Sequence, residues 1–426
     1  MVKAMAKFVI EGGRRLQGTI PVLGSKNAAL PLLSACLLTQ EAVTIHNVPQ
    51  IRDVANLMAI LESLGAQVTR AGDAVTVVAK TLDQTNLPAD KVGALRGSVL
   101  LMGPLLARWG AVALPRPGGD VIGARPIDVH LDAFRQLGAR VQEDGTMVQI
   151  DGNNLRAGEV TLREFSVTAT ENVMLLAAGL PGATTIHVAA TEPHVVALGE
   201  LLTRLGARVT GAGTHTITVE GTLERGGATV TNIPDMLEAG LFILLGAVCA
   251  EDLVIENVPL THLPLFFKKL EDIGVDFSID QAKNQVRVRQ SPLQSFSMQS
   301  LPHPGIPTDL QAPFAVVATV APGSSLIHDP LYEDRFRHIN ELQKMGGRAV
   351  VCDPHRVIIQ GPVRLHGTEI DSLDIRSGAT LIMAGLVAEG QTIIHGAEVV
   401  ERGYERLAER LQAIGAAIRC RDAVHA

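Results

Sequence analysis

Ser63-Leu64-Gly65-Ala66-Gln67-Val68 decides the fold, because the chain repeats it. The phrase returns as Gln136-Leu137-Gly138-Ala139-Arg140-Val141, Arg204-Leu205-Gly206-Ala207-Arg208-Val209, Asp272-Ile273-Gly274-Val275-Asp276-Phe277, Lys344-Met345-Gly346-Gly347-Arg348-Ala349 and Ala413-Ile414-Gly415-Ala416-Ala417-Ile418. The glycines at 65, 138, 206, 274, 346 and 415 stand 73, 68, 68, 72 and 69 residues apart, which defines about six copies of a unit near 70 residues. Around the first copy, residues 42–48 alternate as a strand, then Val54, Leu57, Met58, Leu61 and Leu64 recur at helical steps and Gly65 stops the helix. Two short strands follow, residues 66–69 and 75–79, joined by a tight turn at Ala71-Gly72-Asp73. A further helix precedes each such set, as at 30–38 and 172–178, so the unit reads βαβαββ. Striped helices and one-faced strands must both bury their apolar sides, which places helices beneath sheets. Six units exceed one core, so two groups of three with a cleft between them are expected.

Composition limits the function classes. The chain has 426 residues, 46% of them hydrophobic, enough for a core without staples. Lys and Arg number 37 against 44 Asp and Glu, a balance that argues against nucleic-acid partners and against binding an anionic membrane. Cys36, Cys249, Cys352 and Cys420 are widely spaced and form no CxxC pair, so neither a zinc site nor a disulfide framework is expected, and a reducing cytoplasm is. The first eleven residues lack the apolar run of a secretory signal, and no apolar segment of spanning length follows, so no membrane insertion is expected.

The polar residues recur with the repeat. Lys26 with Asn27, Arg96, Ser166, Asp235 or Glu238, Asp309 and Arg376 all fall at the start of the first helix of a unit. Pro31 is read as an opening-turn proline that leaves Lys26 and Asn27 at the helix N-terminus. Helix N-termini attract anions through free N–H groups and the dipole, so several ends facing one gap would suit a multiply anionic ligand. Serine and aspartate at these points are also ordinary caps, whereas Lys26, Arg96 and Arg376 are not capping residues. A second feature is the run Leu114-Pro115-Arg116-Pro117-Gly118-Gly119-Asp120-Val121-Ile122-Gly123-Ala124-Arg125-Pro126. Two glycines between prolines read as a hinged lid carrying Asp120 and Arg125, although Gly-Gly-Asp is also common turn chemistry. Gly24-Ser25-Lys26-Asn27 lacks the earlier glycine and the Ser/Thr of a P-loop.

Five stretches carry a resemblance that runs essentially end to end: Gly24 to Pro31, Gly123-Ala124-Arg125-Pro126-Ile127-Asp128-Val129-His130, Pro302-His303-Pro304-Gly305-Ile306-Pro307-Thr308-Asp309, Glu333-Asp334-Arg335-Phe336 and Arg402-Gly403-Tyr404-Glu405-Arg406. On these the chain resembles the UDP-N-acetylglucosamine 1-carboxyvinyltransferases, the enolpyruvyl transferases that begin peptidoglycan precursor synthesis. The resemblance implies a two-domain inside-out α/β barrel of six βαβαββ-type repeats with the active site in the interdomain cleft. One domain would span 26–233 and carry the lid at about 114–126; the other would combine 1–25 with 234–426. The implied reaction moves the enolpyruvyl group of phosphoenolpyruvate to the 3′-hydroxyl of UDP-N-acetylglucosamine through a tetrahedral intermediate, with loss of phosphate and with neither metal nor cofactor. Lys26, Arg125, Arg335, Arg376 and Arg402 would hold the phosphoenolpyruvate anions. Asn27, Arg96, the run Arg125, Pro126, Ile127, Asp128 and Val129, the segment Glu164, Phe165, Ser166 and Val167, and also Asp309 and Leu331, would hold the sugar nucleotide. Asp309 would take the hydroxyl proton, with Asp53 and Asp374 as helpers or as structural residues. The chain departs from the common pattern at Asp120, where the family usually has a cysteine that donates a proton, and an aspartate occurs there as a variant. An aspartate with a reference pKa of about 3.9 donates at neutral pH only if its site raises that value. The alternatives are a weakened sugar-nucleotide-binding paralogue and the shikimate 3-phosphate enolpyruvyl transferase, against which the 123–130 run speaks.

Overall fold

The computed structural model describes residues 6–83, 87–118, 126–222 and 226–421, so Asp120 and Arg125 lie outside the described residues together with most of the expected lid. All six repeat glycines have a left-handed backbone, with φ of 96° at Gly65, 101° at Gly138, 114° at Gly206, 83° at Gly274, 93° at Gly346 and 99° at Gly415. A side chain is strained in that region, so glycine ends each second helix and turns the chain into a hairpin. In the first repeat the helix Arg52–Ser63 is followed in this way by the antiparallel strands Gln67–Ala71 and Ala74–Val78, with Val68 opposite Val77.

Among the described residues, five four-stranded sheets and one three-stranded sheet result. Each four-stranded sheet has one edge strand parallel to its neighbour and two antiparallel strands beyond, as in Glu159–Thr161, Gly182–His187, Thr216–Gly221 and Arg208–Thr210. The parallel pair is bridged by the helix Val167–Ala177, the long crossover such a pair requires. The sheet of Ala111–Pro115, Met147–Asp151 and Arg140–Glu143 has no parallel edge strand among the described residues.

Three strands are borrowed across the sequence. Ala228–Thr231 pairs with Val43–His46, Leu16–Pro21 pairs with Ala250–Glu256, and Lys7–Glu11 lies between Gln391–His395 and Ala417–Arg421. Each exchange completes a βαβαββ set from distant pieces. The chain divides into two compact units: residues 6–23 with 234–421, and residues 24–118 with 126–233. The chain passes between them at Leu23/Gly24 and Ile233/Pro234. In the first unit, the Arg410 guanidinium grips the Glu238 carboxylate at 2.6 and 3.0 Å, and Glu238 also accepts the Leu23 N–H at 2.9 Å. Glu238 is thereby committed to holding a chain crossing, and the cap of its helix is Asp235.

In the first unit the helices Met236–Cys249, Gln311–Val320 and Ile375–Val387 pack on one another, and every residue from Leu237 to Cys249 is buried. In the second unit Met102–Trp109 packs on Val167–Ala177, and the 3₁₀ turn Arg96–Leu101 touches both that helix and Lys26–Ala35. The sheets lie outside with alternating faces: in Arg356–Gly361, Val357 and Ile359 point inward while Arg356, Ile358 and Gln360 are exposed. Helices therefore lie beneath sheets, and no sheet closes on itself among the described residues.

The reading of Pro31 needs correction. The helix Lys26–Ala35 is opened by Ser25, whose Oγ accepts the Ala28 N–H at 3.4 Å, and Pro31 stands inside the helix, beyond its first turn. Lys26 and Asn27 are at the N-terminus because of the serine cap; the proline only withholds a hydrogen bond from the Asn27 carbonyl. Gly118 also has a role other than swivelling. A Cβ there would lie 1.7 Å from the Gly93 carbonyl oxygen, so glycine permits a close backbone approach at the root of the expected lid.

Replacing Gly65 with alanine is expected to destabilise its unit by about 1–2 kcal/mol through the left-handed φ alone. The Thr81 carbonyl oxygen, 2.6 Å from the added Cβ, adds to that. Urea unfolding measures it, and an unchanged midpoint would count against the helix-stop role.

Candidate active site

Three of the expected residues meet in the unit of residues 6–23 and 234–421. Asp309 stands in the 3₁₀ turn Thr308–Leu310 that leads into Gln311–Val320. Its Oδ1 accepts a short charged hydrogen bond from Arg335 Nη2, and its Oδ2 accepts one from Arg376 Nε at 3.3 Å. The two arginine side chains are only 5% and 7% exposed, against 24% for the aspartate, so the cations lie deeper than the carboxylate. Burial opposes the charge of Arg335, but Asp309, Asp374 and Asp329 hold it above the usual arginine value. Burial likewise opposes the charge of Arg376, which Tyr404, Asp309 and Asp235 keep raised. The Arg376 guanidinium lies over the Tyr404 ring at 5.1 Å, and its buried Nη1 and Nη2 have no well-aligned hydrogen bond. A buried cation with two poorly bonded donors is an anion site in waiting.

Asp374 proves to be a cap. Its side chain accepts from the Arg376 and Ser377 N–H groups at 2.9 and 3.0 Å, which closes a capping box and fixes the turn that carries Arg376. Arg402 is half-buried in the turn after Ala397–Val400, two residues before the Tyr404 ring. Leu331 is 40% exposed, and its N–H is held by Asp329 at 3.1 Å.

The other unit brings together a different set. Lys26 Nζ donates to Asp53 Oδ2 at 3.0 Å, with the two side chains 14% and 3% exposed, so Asp53 acts as a counter-ion. Asn27 is half-buried beside it. Arg96 Nη2 donates to the Pro126 carbonyl at 3.1 Å, joining two expected residues. Asp128 is exposed at the first turn of the helix Asp128–Gln136, whereas Ile127 and Val129 are buried in the apolar core. Glu164 is exposed, and Phe165, 50% exposed, lies 4.6 Å from the His215 ring. Ser166 caps Val167–Ala177 by accepting the Ala169 N–H at 3.4 Å, and Val167 is half-buried.

Several polar residues were not singled out from the sequence. Thr308 accepts from Arg335 Nε at 3.3 Å and donates to the buried Asp329. Gln311 Nε2 donates to the Arg335 carbonyl at 3.1 Å. His338 lies against the same carbonyl through Nδ1 at 3.1 Å, so Nδ1 carries the hydrogen, and Nε2 is bare and buried without a partner. His130, hydrogen-bonded to the Thr168 hydroxyl at 2.8 Å, is pushed down to about 3 by burial and then by Arg96. Glu171, on the buried helix after Ser166, is pushed well above the carboxyl range by burial and then by Glu192, which favours its protonated form. Thr308 and Gln311 flank Asp309, which the repeat had marked, but His338 packs against Arg335, which it had not. Among the described residues no group of three or more His, Cys, Asp or Glu is placed to hold a metal, and no helix is long and apolar enough to cross a membrane.

Comparison with known proteins gives the class. Residues 10–411 match the family described as EPSP synthase (3-phosphoshikimate 1-carboxyvinyltransferase), and the chain belongs to this enolpyruvyl transferase family. Its relatives narrow the branch. A protein of Magnetococcus marinus named UDP-N-acetylglucosamine 1-carboxyvinyltransferase is 40% identical over 97% of this chain and 99% of its own length. One of the same name from Halothermothrix orenii is 40% identical with the same coverage of each chain. Among solved structures, the enolpyruvyl transferase NikO from Streptomyces tendae covers 99% of this chain and 100% of its own at a TM-score of 0.89 and 27% identity. EPSP synthase from Acinetobacter baumannii superposes over 98% of this chain and 100% of its own at a TM-score of 0.74 and 20% identity, a likeness of fold alone.

The bare histidine has a measurable consequence. Burial holds His338 at about 4, below its ordinary value of 6.5, so the unfolded chain binds its proton more readily. The stabilisation is present above pH 6.5 and is lost as pH falls towards 4, by about 3 kcal/mol in full. Urea midpoints between these pH values should fall less steeply in His338→Asn, which keeps a donor to the Arg335 carbonyl; parallel curves would refute the assignment.

Proposed function

We propose that this chain transfers the enolpyruvyl group of phosphoenolpyruvate to the 3′-hydroxyl of UDP-N-acetylglucosamine, releasing phosphate, in the cytoplasm and as the first committed step of peptidoglycan precursor synthesis. The observation that carries the reading is the group Asp309, Arg335 and Arg376: a partly exposed carboxylate held by two buried cations, one of which has two poorly bonded donors. The names of the relatives supply the substrate pair.

Phosphoenolpyruvate brings a carboxylate and a phosphate. Arg335, Arg376 and Arg402, with Lys26 and Arg125, hold them and stabilise the charge of the tetrahedral intermediate. The incoming anions compete with Asp309 for Arg335 and Arg376, which frees the carboxylate to accept a proton. Asp309 takes the proton of the 3′-hydroxyl as its oxygen adds to the phosphate-bearing alkene carbon, while the terminal carbon receives a proton from Asp120. Return of a proton from that carbon to the Asp120 carboxylate then expels phosphate and restores the double bond. Asn27, Arg96, the 125–129 run, residues 164–167 and Leu331 hold the sugar nucleotide. Asp120 must be protonated before addition, which requires a closed site that raises its pKa above the reference value of about 3.9.

Phosphate release from phosphoenolpyruvate should require UDP-N-acetylglucosamine and should not occur with shikimate 3-phosphate in its place. No release with the sugar nucleotide would refute the function. Asp309→Asn should lower kcat by on the order of 100-fold or more at unchanged fold. Fosfomycin, which alkylates the lid thiol of the common form, should leave this chain active, and Asp120→Cys should render it sensitive; a covalent adduct on the wild-type lid by mass spectrometry would show the opposite.

A further inference from the structure

Asp329 follows the strand Gly323–His328 and is fully buried, yet no part of the reaction uses it. Its backbone is pinned on both sides by His355: the Asp329 N–H bonds to the His355 carbonyl at 2.8 Å, and the Asp329 carbonyl accepts from His355 Nδ1 at 2.8 Å. The carboxylate is thus held still, and its two oxygens have different duties. Oδ1 accepts the Leu331 N–H at 3.1 Å; Oδ2 accepts the Thr308 hydroxyl hydrogen.

The second bond fixes more than Thr308. An ionised carboxylate only accepts, so the hydroxyl must give it its one hydrogen. The Thr308 lone pairs are then left for the Arg335 Nε–H, 3.3 Å away. Arg335 in turn places Nη2 on Asp309, the residue next to Thr308. One buried carboxylate therefore sets the orientation of the hydroxyl, the plane of the guanidinium and the turn that presents Asp309. We infer that Asp329 is a positioning residue for enolpyruvyl transfer, acting through the Thr308 hydroxyl to align Arg335 and Asp309 and, through Leu331, the loop at the sugar nucleotide. The inference rests on the function proposed above, and Asp329 itself touches no reacting atom.

Asparagine cannot reproduce this division. If its amide oxygen faces Thr308, its NH₂ faces the Leu331 N–H; if the NH₂ faces Thr308, the hydroxyl must turn its hydrogen towards the Arg335 Nε–H. One donor is set against another in either case. Asp329→Asn and Thr308→Val should each lower kcat by on the order of 10- to 100-fold at a temperature well below unfolding, because misplacement of reacting groups is costly. The double variant should be no slower than the slower single one, and Thr308→Ser should retain kcat. Losses that multiply in the double variant, or full activity in Asp329→Asn, would overturn the inference. So would loss of activity that follows the melting temperature alone and is equal in Thr308→Ser. Crystal structures of Asp329→Asn and wild type decide independently of turnover: Arg335 Nη2 should leave Asp309 in the variant, and an undisturbed ion pair overturns the inference. If the wild type itself fails to release phosphate, the function falls, and the crystal comparison still tests the alignment.

Discussion

A helix buried on every face must find acceptors for its first N–H groups from the chain itself, and the rest of this structure follows from how six such helices do so. Each unfilled buried donor costs about 1–3 kcal/mol. Four of the helices use side chains: Ser25 and Ser166 in one unit, Asp235 and Asp374 in the other. The remaining helix of each unit is entered through a 3₁₀ turn, Arg96–Leu101 or Thr308–Leu310, whose tighter bonds take up the first donors, as Leu310 N–H does on the Pro307 carbonyl at 2.9 Å. A 3₁₀ entry needs no side-chain cap. The charged residues of those turns, Arg96 and Asp309, are thereby released from capping and turn to partners of their own, the Pro126 carbonyl for one and two arginines for the other.

That division shows what the sequence could reveal. The sixfold glycine phrase was readable because a left-handed helix stop tolerates almost nothing else, and the periodic polar residues were readable because caps and 3₁₀ entries fall at one point of every unit. The kind of entry was not readable. Pro31 drew attention as a helix opener when Ser25, six residues earlier, does the capping. Asp374 and Asp309 look alike in sequence, yet one spends its oxygens on backbone N–H groups and the other on guanidiniums. Thr308, Asp329 and His338 escaped notice because their contacts join residues three to 27 positions apart across different elements, with no periodicity to mark them.

The Asp309 group also explains why a site can sit at the end of an otherwise apolar bundle. One carboxylate is shared by two guanidiniums that are both nearly dry, and Asp374, Asp329 and Asp235 add negative charge around them. The Asp374 oxygen already receives two backbone hydrogen bonds. Burying charged groups works against folding, and the poorly bonded Nη1 and Nη2 of Arg376 make that cost visible. The arrangement is sustained by the capping box, the Tyr404 ring beneath Arg376 and the Asp329 relay behind Arg335, which fix the geometry of both guanidiniums. An anion entering the group meets donors already aimed and already desolvated, so its binding energy goes into charge stabilisation and little into rearrangement. The hydrogen bonds that Arg376 lacks in the empty protein are what an entering anion supplies.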